Sequence, residues 1–176
     1  MTPARSAVCT RVLGWRTLVR DTCGLDPWLM LALIAQESAG DPWAIRVERG
    51  FFRRYHEGLV ALVRSTVSTR DDYWMQYPDL FSASYGLTQI MLPVAMELGF
   101  TFRYPTELCD PTPNLALGSM KLRSCFRPVV NGELEPVRAA LLRYNGGGDP
   151  TYPDKVLAWR RDLMVLAAGD SENGGL

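Results

Sequence analysis

Residues 26–38 read DPWLMLALIAQES and contain the longest apolar run of the chain. Asp26 is a helix N-cap acceptor, and the following proline has a fixed φ that suits the first helical position. The segment is apolar on nearly every side as far as Ala35, which is typical of a helix at the centre of a domain. Gly40-Asp41-Pro42 predicts its end. We therefore expect a buried central helix over residues 27–38.

Glu37 stands where this apolar helix meets the surface. Burial disfavours an ionised carboxylate and can raise the pKa of a glutamate from ~4.3 toward about 6 or higher. Such a group keeps a proton near neutral pH and can donate it to a leaving group. A solvated carboxylate at a helix C-terminus is the alternative, although the helix dipole slightly disfavours a negative charge there. The setting favours a general acid.

Two later segments combine with Glu37-Ser38: residues 84–91, SYGLTQIM, and residues 142–147, LRYNGG. In this order the three segments resemble the motifs of the lytic transglycosylase family, approximately Glu-Ser, Gly-Leu-Met-Gln-Ile-Met and Ala-Tyr-Asn-Gly-Gly. Residues 152–156, YPDKV, resemble the family's terminal Tyr-x-x-x-Val helix. The resemblance covers roughly residues 25–160. It implies a mostly α, lysozyme-like fold, a single globular helical domain with a substrate cleft.

The resemblance also implies an activity. Lytic transglycosylases cleave the β-1,4 bond between N-acetylmuramic acid and N-acetylglucosamine in the glycan strands of peptidoglycan. The glutamate that matches Glu37 protonates the leaving oxygen, then takes a proton from the C6 hydroxyl of N-acetylmuramic acid, which closes a 1,6-anhydro ring without consuming water. One carboxylate suffices when the N-acetyl group of the sugar assists. Glu37 is thus implied as acid and base, with no cofactor.

Further site residues carry over from the family motifs. Tyr144 is implied as a second catalytic-site residue that orients the sugar or Glu37. The amide of Gln89 can hold sugar hydroxyls or an N-acetyl group, and Met91 gives an apolar wall. The family usually has methionine where this chain has Thr88, which puts the sulfur contact there in doubt. The other implied substrate contacts are Ser38, Ser84, Gly86, Asn145 and Tyr152.

Glu48 has two interpretations. If it faces the cleft as a substrate-site residue, it can position a water molecule, and the enzyme is then a hydrolytic muramidase of goose lysozyme type. If it lies on the surface, it forms an ion pair with Arg46 or Arg49. A different class of function is a non-catalytic glycan-binding or virion structural module, against which the intact Glu37 argues.

The length of 176 residues suits one domain over residues 1–168, followed by a flexible tail over residues 169–176. Residues 41–83 exceed the usual spacing between the first two motifs, and we interpret them as an insertion in the cleft region. Aromatic residues are dense there and either stack on sugars or form a small core. They are Phe51, Phe52, Tyr55, Tyr73, Trp74, Tyr77 and Phe81.

Apolar spacing and breaker residues predict the remaining helices. A first helix carries Val8, Val12, Trp15 and Val19 and ends at Cys23-Gly24. The later ones run from Pro93 to Leu98, from Pro113 through Phe126, from Leu134 to Tyr144 and from Pro153 to Ala168. Alternating strand patterns are rare.

Charge and cysteine content exclude several classes of function. The 19 basic and 19 acidic residues cancel without a like-charge block, so nothing indicates a nucleic-acid partner. A metal centre is not expected, because the chain has one histidine and no Cys-x-x-Cys pair. We expect the four cysteines to be buried thiols, although disulfides are the alternative. They are Cys9, Cys23, Cys109 and Cys125.

The N-terminal residues and the lengths of the apolar runs predict the localisation of the protein. Residues 1–11 lack the apolar core of about 7 to 15 residues that a secretory signal needs, and no apolar run approaches the ~20 residues of a membrane span. We therefore expect a soluble monomer that reaches the cell wall by holin release, injection or virion delivery. Among these settings a bacteriophage endolysin is the preferred hypothesis, and a bacterial effector or secretion-machine component is the alternative.

Overall fold

A computed structural model describes residues 1–48, 50, 58, 78–126 and 135–173. Over these ranges the protein is mostly helical with a small sheet, so the predicted fold class is confirmed. The chain forms two compact units. We name them the helical unit, Met1–Gly40 with Gly118–Leu176, and the sheet unit, Asp41–Leu117. The single domain over residues 1–168 stays a prediction.

The helical unit is built around the apolar helix that the sequence predicts. Its helices are α1 (Pro3–Leu13), α2 (Arg16–Thr22), α3 (Pro27–Ser38), α7 (Pro136–Tyr144) and α8 (Tyr152–Asn173). Asp26 caps α3, because its Oδ1 accepts a hydrogen bond of 2.9 Å from the backbone N–H of Trp28. From Met30 to Ile34 no side chain of α3 is exposed. The prediction of a buried central helix over residues 27–38 is therefore confirmed.

The first and the last helix differ most from the sequence expectation, whereas the bounds of the other predicted helices differ by at most two residues. The first predicted helix is two helices, since the backbone N–H groups of Gly14 and Trp15 bond to the carbonyls three residues earlier and tighten the turn. The Trp15 indole N–H then donates to the Gly40 carbonyl at 3.1 Å, which holds the break in place. α8 continues past Ala168 to Asn173, because one interior glycine costs only about 1 kcal/mol. Residues 174–176 lie outside the described residues.

The sheet unit holds three short antiparallel strands in the order β1-β2-β3. Its elements are β1 (Ile45–Val47), α4 (Pro78–Phe81), β2 (Ala83–Tyr85), β3 (Ile90–Met91), α5 (Leu92–Glu97), a 3-10 helix (Pro105–Cys109) and the start of α6 (Pro111–Cys125). Ile45 is paired with Tyr85, and Ser84 with Met91. Its buried core includes Tyr85, Ile90 and Leu108. Strands of two or three residues are too short to show an alternating pattern.

Only part of the predicted insertion over residues 41–83 is described. Its ends form β1, α4 and the start of β2. Phe81 is buried in the core of the sheet unit, which supports the core interpretation for that aromatic residue. The other six aromatic residues of the set lie outside the described residues.

The four cysteines are buried thiols, as the sequence predicts. Burial raises the pKa of the Cys23 thiol to about 11. Within the described ranges no three His, Cys, Asp or Glu side chains are grouped closely enough to hold a metal ion. None of the helices in those ranges is both long and apolar enough to cross a bilayer.

Candidate active site

Glu37 lies half-buried on the last turn of α3. Tyr152 is the first residue of α8 and is 4% exposed. The Tyr152 hydroxyl donates a hydrogen bond to Oε1 of Glu37. Two residues that the sequence motifs single out, far apart in the chain, are therefore in direct contact within the helical unit.

The turn before Tyr152 is held by the Asp149 carboxylate. Its Oδ1 accepts from the backbone N–H and the hydroxyl of Thr151, at 2.9 and 2.7 Å. Its Oδ2 lies 2.6 Å from the Lys155 ammonium. The hydrogen bond from Lys155, followed by those from Thr151, lowers the pKa of Asp149 to about 2. The Tyr152 N–H bonds to the Asp149 carbonyl at 3.1 Å, which places the tyrosine.

Tyr144 ends α7 and is 4% exposed. The Lys121 ammonium stands 4.1 Å from the centroid of its ring, a cation–π contact. Asn145 caps the helix by donating its backbone N–H to the Leu141 carbonyl at 3.2 Å. The left-handed glycine Gly146, with φ of 73°, follows it. The motif is therefore a helix ending, which is compatible with a catalytic role for the tyrosine.

Ser38 has a local bonding pattern in the structure. Its hydroxyl donates to the Ile34 carbonyl at 3.2 Å and accepts from the backbone N–H of Gly40 at 3.2 Å. Such bonds satisfy backbone groups at a helix end. Ser38 thereby fixes the turn that immediately follows Glu37.

Gln36, on the other side of Glu37 in sequence, is bonded to α8. Its Oε1 accepts a hydrogen bond of 3.2 Å from the indole N–H of Trp159. The Arg5 guanidinium lies 3.6 Å above the Trp159 ring, and Arg5 also pairs with Asp162. These contacts tie the end of α3 to α8, the helix that carries Tyr152.

In the sheet unit, Gln89 closes the turn between β2 and β3. Its φ of 48° is in the left-handed region, which is uncommon for a residue other than glycine. The side-chain Nε2 donates to the carbonyls of Ala44 and Gly86, at 2.9 and 3.1 Å. Both amide hydrogens are therefore directed at backbone, and Oε1 is the group of this side chain that can accept from a ligand.

Ser84, Gly86 and Met91 belong to the same hairpin. Ser84 is buried opposite the half-buried Met91 in the β2–β3 register. Gly86 has a φ of 70°, and a Cβ there would lie 2.4 Å from Nδ2 of Asn114. Glycine is therefore required at this position for backbone and for space.

Glu48 forms an ion pair with Arg46, with 2.7 Å between Oε1 and Nε. The structure thus contains the ion pair that the surface interpretation expects, and a substrate role for Glu48 stays a prediction. The structure accordingly collects Glu37, Tyr144, Tyr152, Ser38 and Asn145 in the helical unit and Ser84, Gly86, Gln89, Met91 and Glu48 in the sheet unit. Their roles toward a substrate stay predictions.

Sequence reasoning missed Lys121, Asp149, Trp159 and Asn114. Asp149 had a readable signal, because an aspartate shortly before a predicted helix start is a capping residue. The other three make contacts with residues distant in sequence, and local sequence patterns do not predict such contacts.

The motifs, the helical fold and the geometry around Glu37 agree with one family. The chain matches the family model of the transglycosylase SLT domain over residues 20–155. Because this match covers most of the chain, the protein belongs to that family of lytic transglycosylases, and the predicted resemblance is confirmed.

The individual proteins that match this chain share about a quarter of their aligned residues with it. The chain is 27% identical over 146 residues to proteins named type IV secretion system protein VirB1 from Brucella abortus, Brucella melitensis and Brucella suis. The matched region covers 75% of this chain and 57% of each relative. This chain therefore spans little more than half of the length of those proteins. Comparison with solved structures finds no match.

Proposed function

We propose that the protein is a peptidoglycan lytic transglycosylase that cleaves the β-1,4 bond between N-acetylmuramic acid and N-acetylglucosamine and forms 1,6-anhydro-N-acetylmuramic acid. The observation that carries this proposal is the contact between Glu37 and Tyr152. It joins the motif glutamate to the motif tyrosine in a chain that belongs to the transglycosylase SLT family.

Glu37 is the general acid and then the general base in this proposal. It protonates the oxygen of the leaving sugar and becomes a carboxylate. This carboxylate then takes the proton of the C6 hydroxyl while the C6 oxygen attacks the anomeric carbon. The Tyr152 hydroxyl bonds to one carboxylate oxygen and so restricts the orientation of the group. Orientation matters because misplacement by about 1 Å can reduce a rate about 100-fold.

Gln89 contributes one acceptor to substrate binding. Its Nε2 is committed to the carbonyls of Ala44 and Gly86, so the ligand group that bonds to Oε1 is a donor. In a peptidoglycan strand such donors are the sugar hydroxyls and the N–H of an N-acetyl group. For the remaining motif residues we propose the roles that the family resemblance implies. Tyr144 is a second catalytic-site residue, and the substrate contacts are Ser38, Ser84, Gly86, Met91 and Asn145.

The biological setting follows from the relatives rather than from the site. The Brucella proteins are named as components of a type IV secretion system. We propose that this chain also serves a secretion machine and that its own activity opens the cell wall for it. The bacteriophage setting preferred from the sequence has no support among these relatives. A monomer and the absence of a secretory signal stay predictions.

The experiment that tests the function compares three proteins on purified peptidoglycan. They are the wild type, Glu37→Gln, and Glu97→Gln, which makes the same chemical change at an exposed glutamate of α5. We expect Glu37→Gln to lose about 100-fold or more of the release of soluble fragments, to retain binding to sedimented walls, and Glu97→Gln to match the wild type. Walls that a control enzyme digests but the wild type leaves intact would indicate a glycan-binding module instead.

A further inference from the structure

A buried asparagine lies behind the Gly86–Gln89 turn. Asn114, in the first turns of α6, is 0% exposed. Its Nδ2 donates to the carbonyls of Tyr85 and Leu108, at 2.8 Å each. Its Oδ1 accepts from the backbone N–H and the hydroxyl of Thr88, at 2.9 and 2.8 Å. These are the four hydrogen bonds that an amide side chain can make.

Thr88 is the residue immediately before Gln89 and is itself 0% exposed. It is bonded to Asn114 through both its backbone N–H and its hydroxyl. Burying these polar groups is favourable only because they are paired, since a buried group that loses its partner is destabilising. The contact therefore ties the peptide before Gln89 to α6, the helix that carries Asn114.

Gln89 requires such support. Its left-handed φ of 48° is a conformation that surrounding structure must impose on a residue with a side chain. The same conformation lets Nε2 reach the carbonyls of Ala44 and Gly86. Releasing Thr88 from Asn114 removes a constraint on this backbone and on the direction of the amide.

We propose that Thr88 and Asn114 form a positioning pair that holds the Gln89 amide with Oε1 available to the glycan. This inference deepens the proposed function and rests on it for the ligand. Neither Thr88 nor Asn114 touches the substrate in this account. Their effect on catalysis passes through Gln89 alone.

The kinetic test is a double-mutant cycle. Thr88→Val removes the hydroxyl and preserves the shape, so kcat/KM should fall about tenfold, the size of one lost hydrogen bond. Thr88→Ser should restore most of this loss. In the Gln89→Ala background, Thr88→Val should change kcat/KM less than about twofold. Equal falls in both backgrounds would overturn the proposal.

Two controls separate positioning from general stability. Ser82→Ala removes another buried hydroxyl of the sheet unit, one that bonds to the Asp79 carbonyl at 3.4 Å. It should leave kcat/KM within about twofold of the wild type. If Thr88→Val does not fold, Thr88→Ala removes the hydroxyl without placing a methyl group against Asn114, and the same cycle is measured with it.

A measurement that needs no activity completes the test. The side-chain amide protons of Gln89, assigned by their absence in Gln89→Ala, should exchange slowly with water in the wild type and in Thr88→Ser. They should exchange at least about tenfold faster in Thr88→Val. If the wild type had no activity on peptidoglycan, the proposed function would be rejected. Faster exchange in Thr88→Val would still support the positioning pair in that case. Unchanged exchange in Thr88→Val would overturn the positioning pair.

Discussion

The hydroxyl of Tyr152 donates a hydrogen bond to the carboxylate of Glu37. Glu37 lies on the last turn of α3 and Tyr152 begins α8, so the contact depends on the packing of these helices. Both ends are secured separately, by Ser38 after the glutamate and by Asp149 before the tyrosine. The geometry of the glutamate therefore depends on Ser38 within the Glu-Ser motif and on Tyr152 and Asp149, which lie far from it in sequence.

Tyr152→Phe should reduce kcat about tenfold and lower the free energy of unfolding by about 1 kcal/mol. The ring still fills its buried site, while the donor to Glu37 is lost. Steady-state rates on peptidoglycan measure the first effect and denaturant unfolding the second. Tyr104→Phe, at a tyrosine that is 52% exposed, is the matched control and should be silent. A fully active Tyr152→Phe enzyme would contradict the role of this contact.

Asp149→Asn should reduce stability at neutral pH but not in strong acid. The hydrogen bonds from Lys155 and Thr151 lower the pKa of Asp149 from 3.8 to about 2. A carboxylate with a lowered folded-state pKa stabilises the protein above the unfolded value, and this contribution is lost as pH falls from about 4 to about 2.

The measurement is the difference in Tm between wild type and Asp149→Asn over that acid range. It should shrink toward zero at about pH 2. A difference that stays constant from neutral pH to about pH 2 would show that the ionised carboxylate does not hold this turn.

Gly86→Ala should destabilise the protein by more than Gly99→Ala. Both glycines have a positive φ, 70° and 89°, so both substitutions strain the backbone by roughly 1 kcal/mol or more. At Gly86 the new Cβ would also lie 2.4 Å from Nδ2 of Asn114, whereas at Gly99 it meets nothing within 4 Å. Chemical denaturation of the two variants isolates the steric part, and equal losses would be inconsistent with the packed turn.

Glu48→Gln should leave the products of the reaction unchanged. The pair that Glu48 forms with Arg46 is exposed, and such pairs contribute about 0 to 1 kcal/mol. Product analysis of the variant is the measurement. If Glu48→Gln abolished only products with a reducing end, Glu48 would position a hydrolytic water as in a muramidase.

The sequence predicted the elements whose signals are local. The apolar run of α3 ends at Ala35, just before Gln36 and Glu37, and the Asp26-Pro27 start is a capping pattern. Both the buried helix and the general-acid hypothesis could therefore be predicted from the sequence. The break between α1 and α2 was missed because it depends on Trp15 bonding to the distant Gly40 carbonyl.

Positioning side chains were predicted least well. In the sequence Thr88 stands out only as a departure from the family pattern, and its partner Asn114 falls at the start of a predicted helix. In the structure they form one buried network with backbone groups of Tyr85 and Leu108. A side chain that bonds to distant backbone leaves no periodic signal in the sequence, so the contacts around Gln89 could not be predicted from it.

The most direct test of the central claim is the mass of the soluble products formed from purified peptidoglycan in isotopically labelled water. The proposed reaction predicts 1,6-anhydro-N-acetylmuramic acid ends, lighter than reducing ends by one water molecule, free of label and absent with Glu37→Gln. Reducing ends that carry the labelled oxygen would contradict the transglycosylase reaction and identify the enzyme as a muramidase.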